Sequence, residues 1–297
     1  MQQYYNENTI LFLDGEFVHA KDAKTDLFGQ TLHYGYGVFE GIRSYHTIHG
    51  TKIFKSNAHF ERLAQSCRLL GIPFSYLPED LTQISYQVLK RNNLSNAYLR
   101  PLVFCSPNMS LTAPKEVSIM ITAWDWGKYF SSPSLRLCIS SFQRPNPKSM
   151  RIEAKACGNY VNSILATSEA KERGFDEAIM LDMDGNVAEG PGANFFLERD
   201  GELLTPKTGS ILPGITRSVV MEICNELDIP VTETTITPED LENADSAFFC
   251  GTAAEITAIE SIDGQGFQKP WKKSIGKTIQ EAYQCIVLDK SYSGVIV

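Results

Sequence analysis

The 297-residue chain has no surplus of positive charge, no long apolar run and no Cys-x-x-Cys pair. Its 27 basic residues are outnumbered by 35 acidic ones, giving a net charge of -8, and no basic cluster interrupts that balance. Nucleic acid, which proteins hold through lysine and arginine, is therefore a poor partner. No apolar stretch approaches the length of a membrane span. Met1-Gln-Gln-Tyr-Tyr-Asn-Glu7 lacks the basic and apolar regions of a secretion signal, so a cytoplasmic protein is expected. The seven cysteines, at 67, 105, 138, 157, 224, 250 and 285, are odd in number and scattered. Neither a disulfide framework nor a zinc site is indicated, and they read as reduced core residues. All five histidines precede residue 60 without ligand spacing, so no metal is expected.

What is present is ordinary for a globular chain of one large or two medium domains: 43% apolar and 21% charged residues. Residues 10–19 read as a hairpin turning on Asp14-Gly15, and a second hairpin turns at His49-Gly50. Ser56 is expected to cap a helix that runs to Leu70 and stops at Gly71, with Phe60, Leu63, Ala64 and Cys67 on one face. Pro78 opens another helix. Two strands follow, 97–104 and 117–124, and alternation puts Tyr98 and Arg100 on one face of the first. The glycines at 35, 37 and 41 miss the dinucleotide-binding spacing by one residue, and no helix is predicted directly after them. Gly127–Ser134 changes composition and reads as a linker between a small N-terminal α/β domain, 1–126, and a larger domain, 135–297. In the second domain a strand, a polar loop at 142–150 and a helix from Asn159 to Arg173 precede further strands. Helices are expected at 216–227 and 271–288. Asp182-x-Asp184-Gly-Asn186 has its glycine misplaced for a calcium loop and reads as a hairpin.

Three short stretches carry chemistry. Lys155-Ala-Cys-Gly-Asn-Tyr160 offers an amine, small residues and a phenol; Glu189-Gly-Pro-Gly192 offers a carboxylate on a glycine turn; Leu212-Pro-Gly-Ile-Thr-Arg217 looks like a loop entering a helix. A helix start presents unpaired N–H groups and suits a phosphate. An imine-forming amine, an acid and a phosphate seat are what pyridoxal phosphate asks of a protein. Each stretch alone is weak: lysine is mostly a solvated charge, and Gly-Pro-Gly mostly a turn. On the residues alone, Arg62 reads as a surface arginine lying along its helix. Arg100 divides evenly between an edge ion pair and an anion contact. Cys157, beside Lys155, has no basic partner in the sequence that would make it a nucleophile.

The order of the motifs is more telling than any one of them. Gly37-Val-Phe-Glu-Gly-Ile-Arg43, His59-Phe-Glu-Arg-Leu63, Ala97-Tyr-Leu-Arg-Pro101, Lys155–Tyr160, Glu189-Gly-Pro-Gly-Ala-Asn194, Leu212–Arg217 and Gly251-Thr-Ala-Ala-Glu-Ile-Thr257 follow one another along the chain. In these the sequence resembles class IV (fold type IV) pyridoxal-phosphate-dependent aminotransferases, and most closely the bacterial branched-chain amino acid aminotransferases, from about Leu11 to Ala282. The resemblance implies two α/β domains with pyridoxal 5′-phosphate between them, and a homodimer or larger homo-oligomer that shares its active sites. It implies Lys155 as the lysine that carries the cofactor as an imine, Glu189 as the acid at the pyridine nitrogen, and Tyr160 as the phenol at the ring hydroxyl. Arg62, Ile215, Thr216 and Thr252 match phosphate-binding positions, and Leu212 the residue packed on the ring. Tyr98, with the backbone of Thr252 and Ala253, falls where the family holds the α-carboxylate. Tyr34, Phe39, Trp126 and Tyr129 fall where it lines the side-chain pocket, and Arg100 where it meets a distal carboxylate. The reaction so implied moves the amino group of leucine, isoleucine or valine to 2-oxoglutarate. The resemblance weakens at Cys105–Pro114. That loop lacks the Arg-x-His expected of a D-amino acid aminotransferase, and a 4-amino-4-deoxychorismate lyase would lack the Tyr98/Arg100 pair. A non-catalytic protein on this scaffold would have lost Lys155 or Glu189.

Overall fold

The structure, a computed structural model, describes residues 4–127, 130 and 132–290. The chain divides into two compact units, Met1–Gly127 with Ala154–Asn159, and Lys128–Glu153 with Tyr160–Val297. Both mix helices with sheet, in keeping with the expected α/β class. Residues 128, 129 and 131 of the expected linker lie outside the described residues.

In the first unit, Asp14 and Gly15 adopt positive φ, 46° and 96°, and join β1 (Ile10–Leu13) to β2 (Glu16–His19). Such a turn matches the twist of the strands it joins. β3 (Gly37–Phe39), β4 (Ile42–Thr47), β5 (Gly50–Ile53), β6 (Ala97–Cys105) and β7 (Val117–Asp125) complete an antiparallel sheet in the order β2-β1-β7-β6-β4-β5, with β3 also on β6. α2 (Ser56–Leu70) and α3 (Pro78–Arg91) pack on it through Phe60, Leu63, Cys67, Leu81 and Val88. Ser56 does not cap α2: it is the first helical residue, and the preceding Lys55 turns the chain at φ 50°. A short helix, α1 (Gln30–Tyr34), stands just ahead of the glycine-rich stretch, where none was expected. It is too short to show periodicity, and tertiary bonds hold it: Thr31 Oγ1 donates to Tyr36 O and accepts from Cys105 N.

Residues 154–159 were expected with the second domain, but they join the first unit. The N–H of Phe39 donates to Lys155 O at 3.1 Å, Ala156 bridges Val38, and the N–H of Gly158 donates to Gly35 O at 2.9 Å. A Cβ on Gly35 would lie 2.8 Å from Gly158 Cα, so two glycines allow this approach of backbones.

In the second unit the strands are β8 (Ser134–Ile139), β9 (Glu177–Leu181), β10 (Val187–Gly190), β11 (Ala193–Arg199), β12 (Glu202–Pro206), β13 (Val231–Thr234), β14 (Ser246–Gly251), β15 (Glu255–Ile262) and β16 (Gln265–Gly266). Hydrogen bonding runs β10-β9-β8-β15-β14-β11, and β11 pairs again with β10, so six strands close on themselves. Closure removes open edges from that part of the sheet. Leu135, Ile179, Phe195, Leu197, Phe249 and Ile259 form a core of this unit. α4 (Tyr160–Glu172) and α5 (Ile215–Glu226) start close to their expected positions. α6 (Pro238–Glu242) was not expected, although Thr237 and Asp240 close a capping box at its start. A 3₁₀ turn, Trp271–Lys273, precedes α7 (Ile275–Val287), which Ser274 caps. Among the described residues no helix is long and apolar enough to cross a membrane.

Candidate active site

The first unit assembles its site residues around Phe39. Lys155 Nζ lies 5.1 Å from the centre of that ring, and the Arg100 guanidinium lies 4.6 Å from it. Alternation along β6 does put Tyr98 and Arg100 on one face: Arg100 also lies over the Tyr98 ring at 5.4 Å and over Trp124 at 6.0 Å. Tyr98 stacks on Trp126 with ring centres 4.9 Å apart. Gly41 makes room for this wall, since a Cβ there would lie 1.8 Å from the Tyr98 hydroxyl oxygen. Tyr34, on α1, does not join it. That ring is nearly half exposed, and its hydroxyl donates to Met109 O. Tyr129 lies outside the described residues.

α2 serves the same unit. Its residues 59, 62 and 66 fall on one helical face. The backbone N–H of Lys155 donates to Ser66 Oγ at 3.0 Å. Arg62 and His59 both reach Glu40, a fully buried carboxylate between β3 and β4. Burial pushes the Glu40 carboxyl upward, but Arg62 and His59 outweigh it and hold the group far below the usual carboxylate range. Burial drives His59 the other way, below its ordinary value, against the pull of Glu40. Cys157 is pushed up to about 11 by burial, partly offset by Arg100, so it is a thiol and not a thiolate at neutral pH.

The second unit centres on Glu189, which is 4% exposed. Cross-strand register sets it opposite Asn194 over the Pro191-Gly192 turn. Asn194 Nδ2 donates to Glu189 Oε2 and to Leu212 O, both at 3.0 Å. The Leu212 N–H donates to Glu189 Oε1 at 3.1 Å, and Arg144 Nη2 approaches that oxygen at 3.0 Å. Asn194 thus ties the acid to the loop that enters α5. Gly214 has to be glycine there, because a Cβ would lie 1.9 Å from Asn194 Oδ1. The first turn of α5 has no side-chain cap, and Ile215 and buried Thr216 stand in it. Thr252 and Ala253 form the turn between β14 and β15, two and three residues beyond Cys250, which pairs with Asn194. Tyr160 opens α4.

Sequence reasoning missed Glu40, Ser66, Trp124, Arg144 and the task of Asn194. The spacing of His59, Arg62 and Ser66 carried a signal for a polar helical stripe. Arg144 carried none, because it sits in an irregular loop and meets Glu189 only through the fold.

The chain matches the family model for amino-transferase class IV over residues 37–262. It is 39% identical over 288 residues to a branched-chain-amino-acid aminotransferase of Pseudomonas aeruginosa, covering 95% of this chain and 94% of that one. Its fold is similar to that of a branched-chain aminotransferase from the archaeon Thermoproteus uzoniensis with norvaline, at TM-score 0.92 and 40% identity, covering 96% of each chain. It is similar too to a T.th. branched-chain amino acid aminotransferase complexed with N-(5′-phosphopyridoxyl)-L-glutamate, at TM-score 0.90 and 35% identity, covering 97% of this chain and 96% of that one. By motif order, fold and similarity over nearly its full length, the chain belongs to the class IV aminotransferases.

Proposed function

We propose that the protein moves the amino group of L-leucine, L-isoleucine or L-valine reversibly to 2-oxoglutarate, giving a branched 2-oxo acid and L-glutamate, with pyridoxal 5′-phosphate as cofactor on Lys155. The observation that carries this reading is an aromatic wall with a guanidinium laid on it: Phe39, Tyr98 and Trp124 under Arg100. A branched side chain gains by leaving water against such rings. A glutamate carboxylate buried there unpaired costs several kcal/mol, and Arg100 supplies a planar countercharge. Two relatives support the pairing, one holding an apolar amino acid and the other a glutamate adduct of the cofactor.

The donor set fits the cofactor. Buried Glu189, held by Arg144, suits a pyridinium nitrogen; the start of α5, which no side chain caps, suits a phosphate, and so does Arg62. Lys155, Tyr160, Leu212, Ile215, Thr216 and Thr252 complete the residues that would hold it. When bound, pyridoxal phosphate supplies an electron sink for the carbanion formed at the substrate's Cα. Lys155, as a free amine, would take up the proton lost from the substrate's Cα and give it back in the later protonation. Help of this kind is worth roughly 10²–10⁴ in rate. Glu189, bonded by Leu212 N and Asn194, stays in place to balance the ring nitrogen's proton. The Tyr98 hydroxyl and the backbone N–H groups of Thr252 and Ala253 orient the α-carboxylate.

The protein with pyridoxal phosphate, L-leucine and 2-oxoglutarate should yield 4-methyl-2-oxopentanoate and glutamate in equal amounts. Transfer from D-alanine but from none of the three branched L-amino acids contradicts the reading, as does release of pyruvate from 4-amino-4-deoxychorismate.

A further inference from the structure

Glu40 occupies a place that stability alone does not explain. It sits in the two-residue break between β3 and β4, its own N–H donating to Pro101 O at 2.9 Å, and it is fully buried. Arg62 Nε donates to Oε1 at 2.7 Å and Nη2 to Oε2 at 2.9 Å, a bidentate grip on one edge of the guanidinium. His59 Nδ1 lies 2.7 Å from Oε2, and the N–H of Gly41 donates to the same oxygen at 3.2 Å. Buried ion pairs of this sort gain little over well-packed apolar residues, because desolvation offsets the attraction. What a two-point grip does supply is orientation: it sets the plane of the guanidinium and so the direction in which Nη1 points.

We propose that Glu40 is a positioning residue for the cofactor phosphate: with His59 it fixes the plane in which Arg62 presents its Nη1 edge to that phosphate. The proposal rests on the reading of Arg62 as a phosphate ligand. α2 gives the arrangement a common frame. One face of this helix carries His59 and Arg62 for the carboxylate and Ser66 for the backbone of Lys155. The phosphate clamp and the amine are therefore referenced to a single rigid element. An arginine without Glu40 keeps its charge but regains its rotamers, and ordering it again offsets part of the binding advantage.

The test titrates the full chain, freed of cofactor, with pyridoxal 5′-phosphate and with pyridoxal, which lacks the phosphate, following protein fluorescence. The readout is the ratio of the two dissociation constants. Arg62→Gln should collapse that ratio; if it does not, Arg62 is not a phosphate ligand and the underlying reading fails by itself. Glu40→Gln, nearly isosteric, should lower the ratio by about tenfold, while the pyridoxal constant stays within about threefold of wild type. Equal weakening of both ligands, or a lower melting temperature with an unchanged ratio, makes Glu40 a scaffold residue and overturns the proposal. If Glu40→Gln does not fold, His59→Gln removes one donor from the same carboxylate, and the ratio should fall by about threefold. An unchanged ratio there overturns the proposal equally.

Discussion

Arg100 lies over three aromatic rings, and on the proposed function this is how one guanidinium would satisfy an ionic substrate without repelling an apolar one. Arg100→Leu is expected to slow amino transfer from glutamate far more than from leucine. The difference should be about 2–4 kcal/mol in transition-state terms, the scale for losing one partner of a partly buried charge pair. Single-turnover rates with each amino donor measure it, and equal losses would move Arg100 to the α-carboxylate or to the scaffold. His59 makes a second residue-level prediction, for the cofactor-free protein. Burial lowers its proton affinity in the fold, with Arg62 and Lys155 acting the same way and Glu40 opposing. The unfolded chain, whose imidazole titrates near 6.5, then binds the proton more readily, so stability declines as pH falls below that value. Urea unfolding of His59→Gln should show a flatter decline than wild type between about pH 6.5 and 5. An unchanged slope would mean that His59 titrates alike in both states.

At the scale of elements, the β10–β11 hairpin does two tasks, setting Glu189 opposite Asn194 and packing on β14. Gly190 is where they meet: a Cβ there would lie 2.7 Å from Phe249 Cζ, a ring in the core of the second unit. Gly190→Ala should therefore cost about 1–3 kcal/mol by urea denaturation, the usual scale for overpacking. A variant as stable as wild type would show that Phe249 has room to yield. The hairpins at Asp14-Gly15 and Asp184-Gly185 were legible in the sequence because their glycines take positive φ, which few other residues tolerate. α2 and α3 were legible from Gly71, Pro78 and their apolar spacing. The motif residues Lys155, Glu189 and Arg100 could be assigned roles only through resemblance. Glu40 and Arg144 were not legible at all, since neither has its partner nearby in sequence. The bridge of Ala156 to Val38, which draws Lys155 into the first unit, is equally non-local.

For the whole molecule, the first unit leaves Leu27, Phe28, Leu32 and Leu111 between 63% and 90% exposed, and the homo-oligomer expected from the resemblance is proposed to cover them. Sedimentation should give at least twice the 33.1 kDa of one chain, and a double substitution, Leu32→Asp with Leu111→Asp, should shift the population toward the monomer. A monomeric wild-type protein with full activity would contradict shared active sites. On the proposed function, Lys155 carries the cofactor. Borohydride reduction of the cofactor-loaded protein, followed by peptide mapping, tests it most directly. A phosphopyridoxyl group is expected on Lys155 and on no other lysine; a label elsewhere, or none from a protein that binds pyridoxal phosphate, would contradict the role given to Lys155.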